Sequence, residues 1–306
     1  MTEQERNKKR RKFGFRFWMQ LFVYVFLAVT FIVSAVLIYR QYADFMQSID
    51  EYKQAREIAG ITDMSDITDK FIPEIKTDTE SPHENSGDDS SDSNGSRSDE
   101  DILNEIIMEC LRSVDIKALK AVNPDVIGWI YITATDISYP IMHSDSNERY
   151  IRSSWMNSSV YLTAGAIFME SMNNPEFSDF NTILYGHRMR NETMFGKIKY
   201  YNSKSYLEAH PYIYIVTESD ISRYDIYAAY EVSTLGDTFK IGLGGKESRQ
   251  AYIDFTLASS IYSTGIVPTV DDHILTLTTC SGVKDYSTRW VVQAVKVFCE
   301  SRRGTA

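Results

Sequence analysis

The chain has 306 residues, 13% of them aromatic, and its 42 acidic against 32 basic side chains give a formal net charge of −10. With no basic stripe to replace phosphate counterions, a nucleic-acid partner is excluded. The three cysteines, Cys110, Cys280 and Cys299, are too few for a disulfide scaffold, and no CxxC or HExxH occurs, so neither a metal nor another cofactor is expected.

Residues 1–16 form a basic tail holding Arg6, Lys8, Lys9, Arg10, Arg11, Lys12 and Arg16. Residues 17–39 are apolar apart from Gln20, Thr30 and Ser34. At about 1.5 Å of rise per residue, such a stretch crosses a hydrocarbon core of about 30 Å as a transmembrane signal-anchor helix. Only Arg40 follows before the sequence turns acidic. The positive-inside rule therefore puts the N-terminus in the cytoplasm and everything after the span outside, at the cell membrane. A cleavable signal peptide ending near Val33-Ser34-Ala35 is the alternative, but its apolar region would exceed the usual length of about 7–15 residues.

Residues 40–76 read as a juxtamembrane helical segment, with Tyr42, Phe45, Met46, Ile49 and Tyr52 at helical spacing. From 77 to 101 the chain is rich in Ser, Asp, Glu, Gly and Asn and has no aromatic residue, which predicts a disordered acidic linker. The folded domain is expected over 102–306. It opens with an apolar helical stripe, Ile102, Leu103, Ile106, Ile107, Cys110, Leu111 and Val114, in which Cys110 is a buried structural thiol. A second helix over about 116–122 ends before Asn123-Pro124. Strand signals then recur at about 127–133, 137–142, 164–170, 181–186, 211–217, 223–233, 273–279 and 288–299. Eight short strands indicate a mainly β domain, a closed barrel or a sandwich. A helix over about 246–262 interrupts them, with Ile253, Leu257 and Ile261 on one face.

The strongest chemical signal is Leu275-Thr276-Leu277-Thr278-Thr279-Cys280, with Arg289 nine residues beyond the cysteine. Side chains two apart share a face of a strand, so Ile274, Thr276, Thr278 and Cys280 share one and Leu275 and Leu277 point into the core. Cys280 is thereby placed at a strand end on a partly polar face that a substrate can approach. If the next strand returns as a hairpin, Arg289 lies nearly opposite, where it favours thiolate and can bind an oxyanion. A buried core cysteine is the other possibility. A cysteine nucleophile also needs a proton carrier. His83 lies in the linker, His210 precedes Pro211, and His273 begins the cysteine's own strand. His187, ending a strand in Tyr185-Gly186-His187-Arg188, and His143 remain open. Gly242-Leu243-Gly244-Gly245 lacks the ending of a phosphate loop, and Asn191-Glu192-Thr193 is a short match to a glycosylation acceptor.

Taken together, these residues resemble the sortases. Thr276-Leu277-Thr278-Thr279-Cys280 is similar to the family's TLxTC nucleophile motif and Arg289-Trp290-Val291-Val292 to its arginine strand. Leu184-Tyr185-Gly186-His187, followed by Met194-Phe195-Gly196-Lys197-Ile198, is similar to its histidine segment. Class B is suggested by Asn123 through Ile130, Tyr139-Pro140-Ile141, Gly165 through Glu170, and Ser260 through Gly265. The resemblance implies an eight-stranded closed sortase-type β-barrel with N-terminal helices and a helix in the long loop before the cysteine strand. It implies that Cys280, His187 and Arg289 are catalytic: the thiol attacks after the Thr of a C-terminal sorting signal on a surface protein. The thioacyl enzyme then passes to an amine of peptidoglycan or its lipid-linked precursor. By matching position, the signal groove involves Asn147, Ile151, Thr234, Thr238 and Phe239, with Thr278 and Ser281 flanking the nucleophile. The family usually carries a larger aromatic where Thr238 stands. An exported cysteine protease shares the same residues, and a pilin-polymerising enzyme differs only in its acceptor amine. A non-catalytic wall-binding domain would keep Cys280 buried.

Overall fold

The computed structural model describes residues 14–61, 99–156, 164–279 and 287–302. The chain divides into two compact units, Met1–Gln47 and Ser48–Ala306. The first consists of the leading part of α1 (Phe15–Ala59), a helix long and apolar enough to cross a membrane by length and composition, with Phe22, Phe31, Ile38 and Tyr39 exposed along it. The separate short helix expected after residue 39 is instead part of this one, since neither Gly nor Pro occurs between Phe15 and Ala59. Gly60, at φ +71°, then ends it: Gly60 N–H bonds the Glu57 carbonyl and Ile61 N–H the Arg56 carbonyl, a Schellman closure.

The second unit takes in the last turns of α1, because Tyr52, Ala55 and Ala59 are buried in its core. It therefore starts well before the expected boundary at 102. Helix α2 (Asp99–Arg112) begins inside the expected linker, while residues 77–98 lie outside the described residues. Helix α3 (Ile116–Val122) is capped by Asp115, whose carboxylate accepts the Ala118 N–H at 2.8 Å, and stops where Asn123 turns extended before Pro124.

Eight strands follow: β1 (Val126–Ile132), β2 (Ser138–Met142), β3 (Ile167–Met169), β4 (Asn181–Gly186), β5 (Tyr212–Val216), β6 (Asp220–Ser233), β7 (Ile274–Thr279) and β8 (Thr288–Ser301). They close into a barrel in the order β1-β2-β3-β4-β7-β8-β6-β5. Two pairings are parallel, β2 with β3 and β4 with β7. Among the described residues, closure leaves no strand without a neighbour on either side. Leu275 and Leu277 of β7 join Ile130, Ile132, Leu184 and Val292 in the interior core. Ile274 and Val291 belong to a second core on the outside of the sheet, roofed by α5 (Lys246–Ser259) through Tyr252 and Ile253. The roof helix is shorter than expected: Ser260 is already extended, and Ile261 lies beyond the helix, 50% exposed. Between β4 and β5 sit the 3₁₀ turn η1 (Gly196–Asn202) and α4 (Lys204–Ala209), and between β6 and α5 the short η2 (Asp237–Phe239). The sequence reading does not anticipate η1 or α4.

Candidate active site

β4 carries His187 at its end. Gly186, just before it, has no room for a side chain: a Cβ would lie 2.5 Å from Ile167 Cδ1 and 2.7 Å from the Phe195 ring. His187 is half-buried, and its carbonyl accepts the Phe195 N–H at 3.0 Å. Ring atom Nε2 stands 2.5 Å from the Ile151 carbonyl oxygen. A carbonyl can only accept, so Nε2 carries the proton and Nδ1 is the nitrogen that titrates. Gly165 closes in on the same imidazole. Its φ is +56°, and a Cβ there would meet the Ile151 oxygen at 2.4 Å and His187 Cδ2 at 3.0 Å. Burial holds the His187 pKa below the ordinary histidine value. The Ile151 hydrogen bond opposes this shift, while the charges of Arg152 and Arg289 add to it. The imidazole is therefore neutral at neutral pH.

Arg289 is half-buried at the start of β8, opposite Val232 of β6, and its Nη1 donates to the Thr288 carbonyl at 3.2 Å. Cys280 and Ser281 lie outside the described residues. Two ladders converge on the strand leading to them. In the parallel ladder, Tyr185 pairs with Thr278 and Gly186 with Thr279. In the antiparallel ladder, Leu277 pairs with Val292 and Thr278 with Val291.

The β7 face expected to be open to substrate is closed below the cysteine, because α5 and η2 cover it. Thr276 and Thr278 are both 0% exposed, so Thr278 has no side-chain surface to offer a ligand. Around Thr276 the polar groups satisfy one another, whereas the buried Thr278 hydroxyl has no partner among the described residues. Thr276 Oγ1 donates to Asn181 Oδ1 at 2.7 Å and accepts from Gln293 Nε2 at 2.9 Å. Gln293 also donates to Tyr252 OH at 2.7 Å and accepts from Tyr227 OH at 2.9 Å. Asn181 Nδ2 in turn donates to the carbonyls of Thr238 and Lys240. Thr238 is thus a correction as well: it is 0% exposed, its hydroxyl is bonded to Tyr230 OH and its carbonyl accepts from Tyr252 OH. It anchors the loop from inside and does not line a groove.

The remaining expected groove residues are half-buried. Asn147 donates to Glu170 Oε1 at 2.7 Å and accepts the Ser171 N–H at 2.8 Å, and Glu170 Oε2 accepts from Tyr185 OH at 2.9 Å. Ile151 supplies the carbonyl on His187. The Thr234 N–H donates to the Ser287 carbonyl at 2.9 Å, tying the long loop to the approach to β8, and Phe239 packs on the outer core. Two other histidines have ring contacts elsewhere: His210 Nδ1 contacts the Thr133 carbonyl and His273 Nδ1 the Asp179 carbonyl. The backbone of His143 donates to the Asp125 carbonyl and its buried Nε2 has no partner among the described residues, while His83 lies outside them. Cys110 is half-buried, with burial raising its pKa, and Cys299 is exposed. Asn181 and Gln293 were not picked out from sequence, and Gly165 and Glu170 entered only as the ends of a motif, without these roles. The partners of Asn181 and Gln293 are tens of residues away, and no local pattern marks them.

A closed barrel of this order, with a histidine at the mouth of β4 and an arginine at the mouth of β8 beside a cysteine-bearing strand, defines a class of β-barrel cysteine enzymes. Residues 130–297 match the family model of the Sortase domain. Over 184 residues the chain is 35% identical to Sortase B of Listeria monocytogenes, covering 58% of this chain and 72% of the relative. Among solved structures, a Staphylococcus aureus sortase B-substrate complex superimposes with a TM-score of 0.56 at 27% identity, covering 60% of this chain and 84% of that one. A sortase B complexed with triglycine does so with a TM-score of 0.55 at 28% identity, covering 59% and 84%. The chain belongs to the sortase family of cysteine transpeptidases, and its relatives put it in class B.

Proposed function

We propose that this transpeptidase cleaves a C-terminal sorting signal after its Thr, through a thioacyl-enzyme on Cys280, and transfers the surface protein to an amine of peptidoglycan or its lipid-linked precursor. The observation that carries the assignment is the convergence of the two ladders on β7. β7 is described up to Thr279, the residue before Cys280, and Thr279 pairs with Gly186, the residue before His187. β7 also pairs with β8 through Thr278↔Val291, and β8 opens at Thr288 and Arg289. Neighbouring strands lie about 4.8 Å apart, which supports a proposed site with a base and a fixed cation on either side of the thiol.

Chemistry follows from that order. The Cys280 proton passes to Nδ1 of His187 as sulfur attacks the carbonyl, and Arg289 with backbone N–H groups holds the oxyanion. The imidazolium, made a stronger acid by burial, protonates the leaving amine. Neutral imidazole then takes a proton from the incoming amine, which attacks the thioester and frees the thiol. Asn147, Ile151, Thr234 and Phe239 contact the signal, with Ser281 beside the nucleophile and Thr238 supporting from behind. Residues 17–39 span the membrane with 1–16 in the cytoplasm. Residues 40–47 lead from the span, the acidic stretch before Asp99 serves as a tether, and 99–306, with Ser48–Ala59 packed against them, form the extracellular catalytic unit.

The relatives solved with a substrate and with triglycine guide the test. The full chain in detergent is incubated with fluorogenic sorting-signal peptides and oligoglycine or a diaminopimelate-type amine, beside Cys280→Ala and His187→Ala. Cleavage after Thr that needs both residues and puts the acyl half on the amine is expected. Release of the free acid alone, at a rate the amine does not change, would refute the transfer.

A further inference from the structure

We infer that Tyr52, near the end of α1, is a positioning residue for His187. The inference rests on the catalytic role proposed for that histidine. The imidazole is set by the Ile151 carbonyl on Nε2 and by Gly165 against Cδ2. Both belong to chain segments that have no regular structure of their own, so something must fix them. Gly165 lies against the carbonyls of Ile151 and Tyr150 with no space for a side chain, and the next residue's N–H, of Ala166, donates to the Tyr150 carbonyl at 3.0 Å, so the Gly165 segment is tied to the one that carries the acceptor of His187.

Tyr52 is what holds Gly165. Its hydroxyl donates to the Gly165 carbonyl at 2.5 Å, 113 residues away in sequence, and faces the Trp155 backbone N–H. One hydroxyl thus joins the segment after Ile151 to the segment under the imidazole. The ring is 5% exposed and packs edge-on against Tyr139, with centroids 5.2 Å apart, so the hydroxyl has little freedom. A neighbouring bond strengthens the clamp: Trp155 Nε1 donates to the Glu51 carbonyl at 2.9 Å. Burial raises the Tyr52 pKa, so the hydroxyl stays a donor through the alkaline range. Packing alone would ask only for an apolar ring here. A bridging hydroxyl aimed at the support of the histidine is a more specific device.

Tyr52→Phe keeps the ring and removes only the bridge. In the full chain, kcat for transfer to the amine is expected to fall about three- to tenfold, as for one lost orienting hydrogen bond. KM for the peptide should change little. The His187 titration, followed by NMR on labelled histidine, should move up toward the ordinary value as the loosened support admits water. Tyr131→Phe is the matched control: its hydroxyl is also buried and accepts only the Ala134 N–H in the β1–β2 turn. It should lower the melting temperature without moving kcat or the His187 midpoint. Unchanged kcat and midpoint in Tyr52→Phe, or equal shifts in both variants, would overturn the positioning role. Full activity in His187→Ala would instead overturn the assignment of the histidine itself, so the two failures are distinguishable.

Discussion

Gly186→Ala isolates how tightly the end of β4 is held. The new methyl would meet Ile167 Cδ1 at 2.5 Å and the Phe195 ring at 2.7 Å, and both residues are fully buried. Gly to Ala in a strand gains roughly 0.5–1 kcal/mol in chain entropy, whereas overpacking a filled core costs about 1–3 kcal/mol. The cost wins, since neither neighbour has solvent to retreat into. Mid-range values leave a net cost of about 1.2 kcal/mol, so at about 2–4 °C per kcal/mol for a unit of this size, melting of the full chain should fall by roughly 2–5 °C. The strain is relieved by displacing β4 at the residue before His187, so kcat/KM for the peptide should fall about tenfold or more. Ile167→Val deletes the atom that collides. Alone it costs about 0.5–1.5 kcal/mol, but beside the alanine it makes room, so the double variant should be more stable than the sum predicts by at least about 0.5 kcal/mol. A Gly186→Ala protein melting with its parent, or strictly additive variants, would refute this account of the β4 end.

The His187 midpoint should lie below the ordinary value of about 6.5 and rise in Arg289→Met, which removes one of the charges depressing it; a midpoint at or above 6.5 in the parent contradicts the burial described. Because the folded pKa is the lower one, acidification below about 6.5 protonates the unfolded chain first. Stability is therefore lost as pH falls from there to the folded pKa, and His187→Gln should flatten that part of a melting-versus-pH curve. Asn181→Leu takes the acceptor from the Thr276 hydroxyl and the donor from the Lys240 carbonyl, at about 1–3 kcal/mol in all, while Thr238 keeps its bond from Tyr252; it should also raise peptide KM by loosening the long loop, and an unchanged KM would show that loop to be held otherwise. Arg302→Ala removes the guanidinium that caps the carbonyls of Thr217, Arg112 and Val114; it should lower the melting temperature by several degrees, for about 1–2 kcal/mol, and leave turnover intact.

Much of this architecture is legible in the sequence. Alternating apolar residues and turn signals locate the strands to within a few residues, because a barrel strand must bury every second side chain. The same alternation separates Leu275 and Leu277 from Thr276 and Thr278. What lies on the threonine side was not legible: the polar residues there suggest an open face, but both threonines are buried, Thr276 within a network closed by Asn181, Gln293 and Tyr252. Thr238 was misjudged for the same reason, since a threonine that bonds inward looks the same in sequence as one that lines a groove. The juxtaposition of His187 with the cysteine strand came only from the family resemblance and not from spacing, because a parallel pairing of β4 with β7 joins residues far apart in the chain and leaves no local trace. The folded unit starts before residue 102 because Tyr52, Ala55 and Ala59 face a core whose other side is remote in sequence.

The proposed approach of His187 to Cys280 can be tested without any substrate. His187→Cys is made in a Cys110→Ser/Cys299→Ser background, leaving Cys280 as its one possible partner, and the full chain is mildly oxidised and mapped by mass spectrometry. Paired residues on adjacent strands fall within the Cα separation of about 4.4–6.8 Å that a disulfide needs. The proposed site predicts that the 187–280 bond forms readily, whereas Arg188→Cys, whose backbone bridges Met194, should not link. Linkage from 188 with none from 187 would mean that the thiol and the imidazole do not share a face, and the proposed catalytic arrangement would be wrong.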